Sequence, residues 1–395
     1  MLRRSITVAS LDSFMDKTRN RYLILFEGPH IAYSPTISQL YRELEAFYDV
    51  TIFTSTPSGI TEQKPPEHNV VYYDFDHNRF KKYYHRAAYT LLLFFQDKET
   101  RQFNKQFPGK YKEYFFRYRR LKKLVEENKY QRILSVDIKN LFYCTLLGIE
   151  SDFLSLELCT NNGLLPLIDK NKIGCVLIQT PDRYNYLFQG EKLRTFYIQN
   201  APVYRPMVIP VDRKGIIYAG TAWAAFGFYH CLDFIDKFKN EQLFVQGLVP
   251  PADRKKIESE YGGLLREKRL TLTETYLDND EMVDFIAHFE IGFCFYDFSV
   301  DWIDNFNYRT APSGKLFKYL AAGVPVVCND IPGFQFVRDY QCGVLITDLD
   351  PESISRAVLQ IRDQYKLYTD NAFKTAERFS FDKAVKPYLD YIKGN

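Results

Sequence analysis

The sequence predicts an α/β protein of two domains, each built on a parallel sheet with helices on its faces. Three observations predict it. At 395 residues the chain exceeds the size at which one hydrophobic core keeps growing, so two domains are expected. Apolar runs of strand length alternate with helical stretches in both halves. The run from Ala311 to Cys328, APSGKLFKYLAAGVPVVC, places a tight loop, a short helix and a buried strand in fixed order.

In the first half, Tyr22 to Glu27 is an apolar run broken by Gly28, Pro29 and His30, followed by a helical stretch near Ile37 to Phe47 and a strand at Val50 to Thr54. Such a unit belongs in a doubly wound sheet, where ligands bind beyond the carboxyl ends of the strands, at the Gly28 to His30 loop. His30 is therefore a candidate for contact with an acceptor or a transferred group; a solvent-facing loop histidine fits the same residues. Further strand-length runs follow at Arg132 to Asp137, Phe153 to Leu158 and Cys175 to Gln179.

Between Arg79 and Lys129 the chain is basic and aromatic, with fifteen Lys and Arg against five Asp and Glu, a local excess of ten positive charges. On helices, these rings rest at a lipid headgroup layer while the cations meet anionic lipid, at about 1 kcal/mol per basic residue. A solvated helical face with Tyr and Phe packed beneath it is the alternative. The whole chain is near neutral, 52 basic against 49 acidic residues, which argues against a general nucleic-acid binder.

Pro202, Pro206 and Pro210 stiffen a connector ending near Lys214, and the hinge is expected there. Beyond it, Ile216 to Ala219, Leu243 to Gln246, Leu270 to Thr273, Ile291 to Phe295, Val324 to Val327 and Val344 to Ile346 supply the strands of a second sheet. The boundaries expected are 1–205, 206–380 and a terminal helix at 381–395.

The 311–328 run builds an anion site. Ser313 and Gly314 start a helix whose first N–H groups point outward, Lys315 adds a positive charge, and the helix dipole favours negative charge at that end. A diphosphate fits such a place. An ordinary helix and strand of an α/β core has the same spacing. The seven cysteines lack C-x-x-C spacing and histidine is sparse, so free thiols in a reducing compartment are expected, with no disulfide framework and no metal. The amino terminus lacks an apolar core of signal-peptide length, and the longest apolar run, Tyr89 to Phe95, is far too short to span a bilayer.

The 311–328 run resembles the donor-binding signature of the GT-B glycosyltransferases, in particular the retaining group of glycosyltransferase family 4 (glycosyl transferases group 1), written P-S-K-L-x-E-Y-L-A-A-G-x-P-V-V. The likeness continues through Asn329 to Gly333, Cys342 to Ile346 and Asp350 to Ile354, and upstream at Ile216 to Gly220. It implies a GT-B fold of two Rossmann-like domains whose parallel sheets face an interdomain cleft, with the terminal helix at 381–395 crossing back to the first domain. It implies transfer of a sugar from a nucleotide sugar to a glycan or lipid-linked acceptor, with retention, in cell-surface polysaccharide or glycoconjugate synthesis. It places the diphosphate at Ser313, Gly314, Lys315 and Leu316, the glycine loop at Gly220 and Thr221, and the base near Thr273 to Tyr276.

Two departures matter. The family's Glu before the helix-ending glycine is Lys318 here, and its earlier partner falls on Thr310. The usual Arg after the glycine loop is absent, which leaves Lys315 helped by backbone N–H groups and the Thr221 hydroxyl. Arg183, after Cys175 to Gln179, is the candidate second cation; a surface arginine paired with Asp182 or Glu191 is its alternative. No D-x-D motif stands in a persuasive loop, so neither a metal nor another cofactor is expected, and the basic segment 79–129 suggests a cytoplasmic enzyme peripheral to the inner face of the membrane. The departures motivate the alternative function, a catalytically impaired GT-B-like binding or scaffold protein at the membrane surface.

Overall fold

Tyr22, Leu23, Ile24 and Leu25 have no solvent exposure, as expected for a strand covered on both faces. The computed structural model describes residues 19–27, 31, 34–55, 69–73, 79–95, 101, 115–156, 163–275, 277–300, 302 and 305–394. Two compact units emerge, one of residues 1–153 with 167–174, the other of 154–166 with 175–395.

One sheet contains β1 (Arg21–Leu25), β2 (Asp49–Ser55), β3 (Val70–Tyr73), β4 (Arg132–Val136), β5 (Ser151–Leu154), β6 (Ile173–Ile178) and β7 (Thr195–Tyr197). Its order is β3-β2-β1-β4-β5-β6-β7, so the winding reverses between β1 and β4. β1 pairs in parallel with both β2 and β4. The helix Pro35–Glu45 between β1 and β2 starts on a proline and buries Ile37, Leu40, Tyr41 and Leu44, a single helical face. The helix Phe115–Asn128 buries Phe115, Arg117 and Leu121. The helix Arg79–Phe94 leaves Leu91 and Phe94 exposed, and Phe95 follows them.

The second sheet lies wholly in the second unit: β8 (Ile216–Ala219), β9 (Leu243–Gln246), β10 (Leu270–Thr273), β11 (Ile291–Cys294), β12 (Val326–Asn329) and β13 (Gly343–Ile346). The order is β10-β9-β8-β11-β12-β13, every neighbouring pair is parallel, and the winding reverses between β8 and β11. Two separate core clusters cover it. One packs Phe228, Leu232 and Ile235 with Ile354, Val358 and Ile361; the other packs Leu316, Tyr319 and Leu320 with Val337 and Ala372.

The helix Gly314–Ala321 closes as the sequence suggests, but the strand after it begins two residues later than its apolar run. Gly323 takes φ of 64°, and the bonds Gly323 N–H to Leu320 O and Val324 N–H to Tyr319 O form a Schellman close. Pro325 has no N–H to give to a ladder, so pairing starts at Val326. Arg213 of the connector donates to the carbonyls of Ala322 and Gly323, a cation at the negative end of this helix. Arg362 binds both Glu241 and Glu290, tying the helix Pro351–Asp363 to the segments that enter β9 and β11. The last helix, Phe381–Lys393, packs Tyr388 and Tyr391 against Phe196 of β7.

Candidate functional site

The carboxyl ends of β8 and β9 meet the start of the helix Gly314–Ala321, and glycines make the meeting possible. Gly220 has φ of 120° and donates its N–H to Gln246 O at 2.9 Å. Gly247 has φ of 145°, and a Cβ on it would stand 2.3 Å from the Gly220 carbonyl oxygen. Two positive-φ glycines thus lie back to back, where side chains would be both strained and in collision. From beneath, the buried Tyr218 hydroxyl bridges Thr221 O at 3.0 Å and Phe226 O at 3.2 Å, fixing the loop after β8.

Tyr319 clamps the helix to the sheet. Its hydroxyl accepts from Ala219 N–H at 2.7 Å and donates to Phe293 O at 3.0 Å. Its ring occupies the space beside Gly292, where a Cβ would come within 2.7 Å. Burial raises the pKa of Tyr218 and Tyr319 well above the usual phenol value, so both remain protonated and neutral.

One turn before Tyr319 stands Lys315. Its Nζ lies 4.8 Å from the ring centre of Tyr218 and 5.4 Å from that of Phe226, and 3.6 Å from where a Cβ on Gly220 would be. That ammonium is buried and finds no hydrogen-bond acceptor among the described residues. The thiols that feel its charge, Cys231 and Cys294, are held protonated because burial raises both pKa values more than Lys315 lowers them. Removing a charge from water costs several kcal/mol, and two cation–π contacts at about 0.5–2 kcal/mol each offset only part of that. Ser313 is the N-cap of the helix, but its side chain makes no capping bond. An unmatched cation therefore coincides with the positive end of an uncapped helix.

The other expected site residues are placed as follows. Gly314 lacks a side chain where Asn200 packs, its would-be Cβ 2.8 Å from Asn200 Nδ2. Leu316 is fully buried and belongs to the core. Lys318 is half-buried with a pKa lowered by desolvation, and no acid pairs with it among the described residues. Thr310 bonds back to Phe306 O. Arg183, at the start of the helix Pro181–Phe188, has no exposure and donates to Leu156 O, Gln179 Oε1 and Asn307 Oδ1. Gly220, Thr221 and Lys315 are thus brought together, whereas Arg183 is engaged internally. His30 and Tyr276 lie outside the described residues.

Several residues of interest were not singled out from the sequence. Gln246, 1% exposed at the end of β9, donates from Nε2 to Thr275 O at 2.7 Å and leaves Oε1 without a partner among the described residues. Trp223 and Trp302, in the loops after β8 and β11, stand edge to face at 6.3 Å. In the first unit Arg117 is 3% exposed, lies over the rings of Tyr73 and Tyr143, and donates to Asn140 Oδ1 at 2.6 Å. Among the described residues its Nε and Nη1 find no hydrogen-bond acceptor, though Glu27 Oε1, itself bonded by Lys139, is 3.8 Å from Nη1. This cluster sits where β1 and β4 end, at the reversal of that sheet, which is where doubly wound sheets hold ligands. Among the described residues no group of three or more His, Cys, Asp or Glu is placed to hold a metal ion.

Two parallel, doubly wound sheets with helices define the α/β fold of the GT-B class. The solved structures similar to this chain carry that fold. Sucrose-phosphate synthase from Thermosynechococcus elongatus is similar with a TM-score of 0.63 and 14% identity, over 95% of this chain and 99% of its own. A Listeria monocytogenes protein assigned as a UDP-N-acetylglucosamine 2-epimerase gives 0.60 and 13%, over 95% and 96%. The UDP-forming α,α-trehalose-phosphate synthase from Burkholderia xenovorans, solved with glucose-6-phosphate, gives 0.60 and 10%, over 95% and 100%. No protein-family model matches the sequence, and no curated protein matches it.

Proposed function

We propose that the protein is a glycosyltransferase that moves a sugar from a nucleotide-sugar donor to a glycan or lipid-linked acceptor with retention of configuration. The observation that carries this is the buried Lys315 ammonium, unpaired among the described residues, at an uncapped helix start beside Gly220. A diphosphate there supplies the missing negative charge, accepts the free N–H groups of Gly314 and Lys315, and reaches the Thr221 hydroxyl. Breaking the glycosidic bond puts charge on the β-phosphate, and preorganised donors stabilise it without reorganisation. A retaining transfer of this kind requires no protein nucleophile.

The names of two fold neighbours carry UDP, one as the product released and one within the substrate, which supports a nucleoside diphosphate as the ligand class. With the phosphates at β8, the base extends toward the loop after β10. Because Lys315 and the helix carry the phosphate charge in this reading, turnover persists in EDTA.

We place the enzyme at the cytoplasmic face of an anionic membrane, in glycoconjugate or cell-surface polysaccharide synthesis. No helix among the described residues is long and apolar enough to cross a membrane. Leu91, Phe94 and Phe95 are 56%, 79% and 75% exposed, at helical spacing that puts them on one side, within the segment of ten excess positive charges. Phe94→Asp with Phe95→Asp should abolish cosedimentation with phosphatidylglycerol vesicles; retained binding refutes this surface.

The activity test is a panel of nucleotide sugars with acceptor extracts, read by mass spectrometry. Transfer from at least one donor, lost in Lys315→Met, is expected. Release of an epimerised sugar without transfer, or no turnover with any donor, overturns the assignment.

A further inference from the structure

We propose that Trp223 and Trp302 form a platform on which a sugar ring of the substrate stacks, next to the phosphate site. The inference rests on the reading of the second unit as a nucleotide-sugar site and names the part of it that holds the glycosyl group. Both indoles are open to solvent, 39% and 51% exposed, although Trp is among the costliest side chains to leave in water.

They are brought together deliberately by the backbone. Gly227, with φ of 64°, lets the turn after Trp223 press against β11, since a Cβ there would stand 2.4 Å from Phe295 Cβ. Asp297 N–H then bonds to Ala225 O at 2.9 Å, stitching the loop after β8 to the loop after β11. Phe226 joins the platform to the phosphate site: its ring lies 5.4 Å from Trp223, 6.2 Å from Trp302 and 5.4 Å from Lys315 Nζ. Tyr308 supports Trp302 from behind at 5.9 Å.

Strand order identifies the occupant. In β10-β9-β8-β11 the phosphate loop is at β8, the loop assigned to the base follows β10 on one side, and Trp302 follows β11 on the other. A diphosphate seated at Gly220 and Lys315 with its base toward β10 directs its other end toward β11. A flat apolar aromatic surface suits the C–H face of a pyranose, and the neighbouring His230, 3.3 Å from Asp297 through Nε2, offers polar groups for its hydroxyls.

The chain has two tryptophans and both are in the platform, so intrinsic indole emission reports on this place alone. UDP, UDP-glucose, UDP-galactose and UDP-N-acetylglucosamine would be titrated into the full chain, following emission and thermal stability together. At least one sugar nucleotide should change emission more than UDP does at equal saturation. Trp302→Ala should weaken that sugar nucleotide about tenfold while leaving UDP binding within about twofold, and Trp302→Phe should restore most of the loss. Equal affinity of Trp302→Ala and the parent protein for every sugar nucleotide overturns the platform while the nucleotide site stands. No binding of UDP or any sugar nucleotide overturns both. Emission that responds to phosphatidylglycerol vesicles and to no sugar assigns the indoles to lipid and also overturns it.

Discussion

Lys315→Met separates the two things this lysine does. Methionine keeps a linear apolar stem for Tyr218 and Phe226 to pack on, and removes the charge. In the unliganded protein the ammonium is buried without an acceptor among the described residues, so its loss removes a desolvation cost and two cation–π contacts that largely oppose each other. Stability without ligand should therefore stay within about 1 kcal/mol of the parent, or rise. With a diphosphate bound, the lysine becomes half of a desolvated charge pair worth about 3 kcal/mol, so the variant should bind about 150-fold more weakly. Nucleoside diphosphate at about 100 times its parent dissociation constant stabilises the parent by about 2.7 kcal/mol, and the variant by about 0.3 kcal/mol. For a unit of this size that is a thermal shift of about 5–10 °C falling to about 1 °C. The assay is a thermal-shift titration of both proteins with UDP, GDP and ADP. A full ligand-induced shift in Lys315→Met refutes the phosphate assignment, and a collapse of the unliganded variant refutes the claim that this cation is unmatched.

Gly247→Ala drives a methyl to 2.3 Å from the Gly220 carbonyl oxygen at a backbone φ of 145°, and should cost about 3 kcal/mol or more, read as a lower urea midpoint; an unchanged midpoint contradicts the back-to-back packing. Arg362→Met leaves Glu241 and Glu290, 13% and 21% exposed, without their shared cation. Allowing for that partial exposure, a loss of about 2–3 kcal/mol is expected, and adding Glu290→Gln should recover part of it. Asp330 is held below the usual carboxylate range by hydrogen bonds from Gln335 and from Arg338, the latter also a charge partner. A carboxylate with a lowered folded pKa stabilises fully above 3.8 and loses that stabilisation as pH falls through the folded value. Asp330→Asn should thus be less stable than the parent at pH 7, by no more than about 1 kcal/mol, with the difference vanishing in strong acid; a pH-independent difference would count against it.

The second sheet was legible because its strands are apolar runs separated by glycine and proline, and β8, β9 and β10 have the bounds their runs suggest. β3 and β7 were not, since both are sheet edges and too short, Val70–Tyr73 and Thr195–Tyr197, to carry a period. Lys315 was readable from local chemistry, a lysine at a helix start, whereas Gly220 and Thr221 were singled out only through the resemblance to the GT-B signature. What placed Trp223 against Trp302, and Gln246 against Thr275, is the neighbour order of strands far apart in sequence, which no local pattern encodes. Arg117 was hidden for another reason. It stands in a run of surface-type charges, yet aromatic faces and Asn140 take it inside, a burial that only the phase it shares with Leu121, four residues on, hinted at.

The thiols of both units offer a clock. Cys144 lies buried in the first unit and Cys175, Cys231, Cys294, Cys328 and Cys342 in the second, and burial pushes Cys144 and Cys342 up to about 12. Folded, all six are shielded by burial and therefore protected from alkylating reagents at neutral pH. Each becomes reactive when its surroundings open, so the mass of maleimide acquired at each position over time would record how long one half of the molecule survives after the other has come apart.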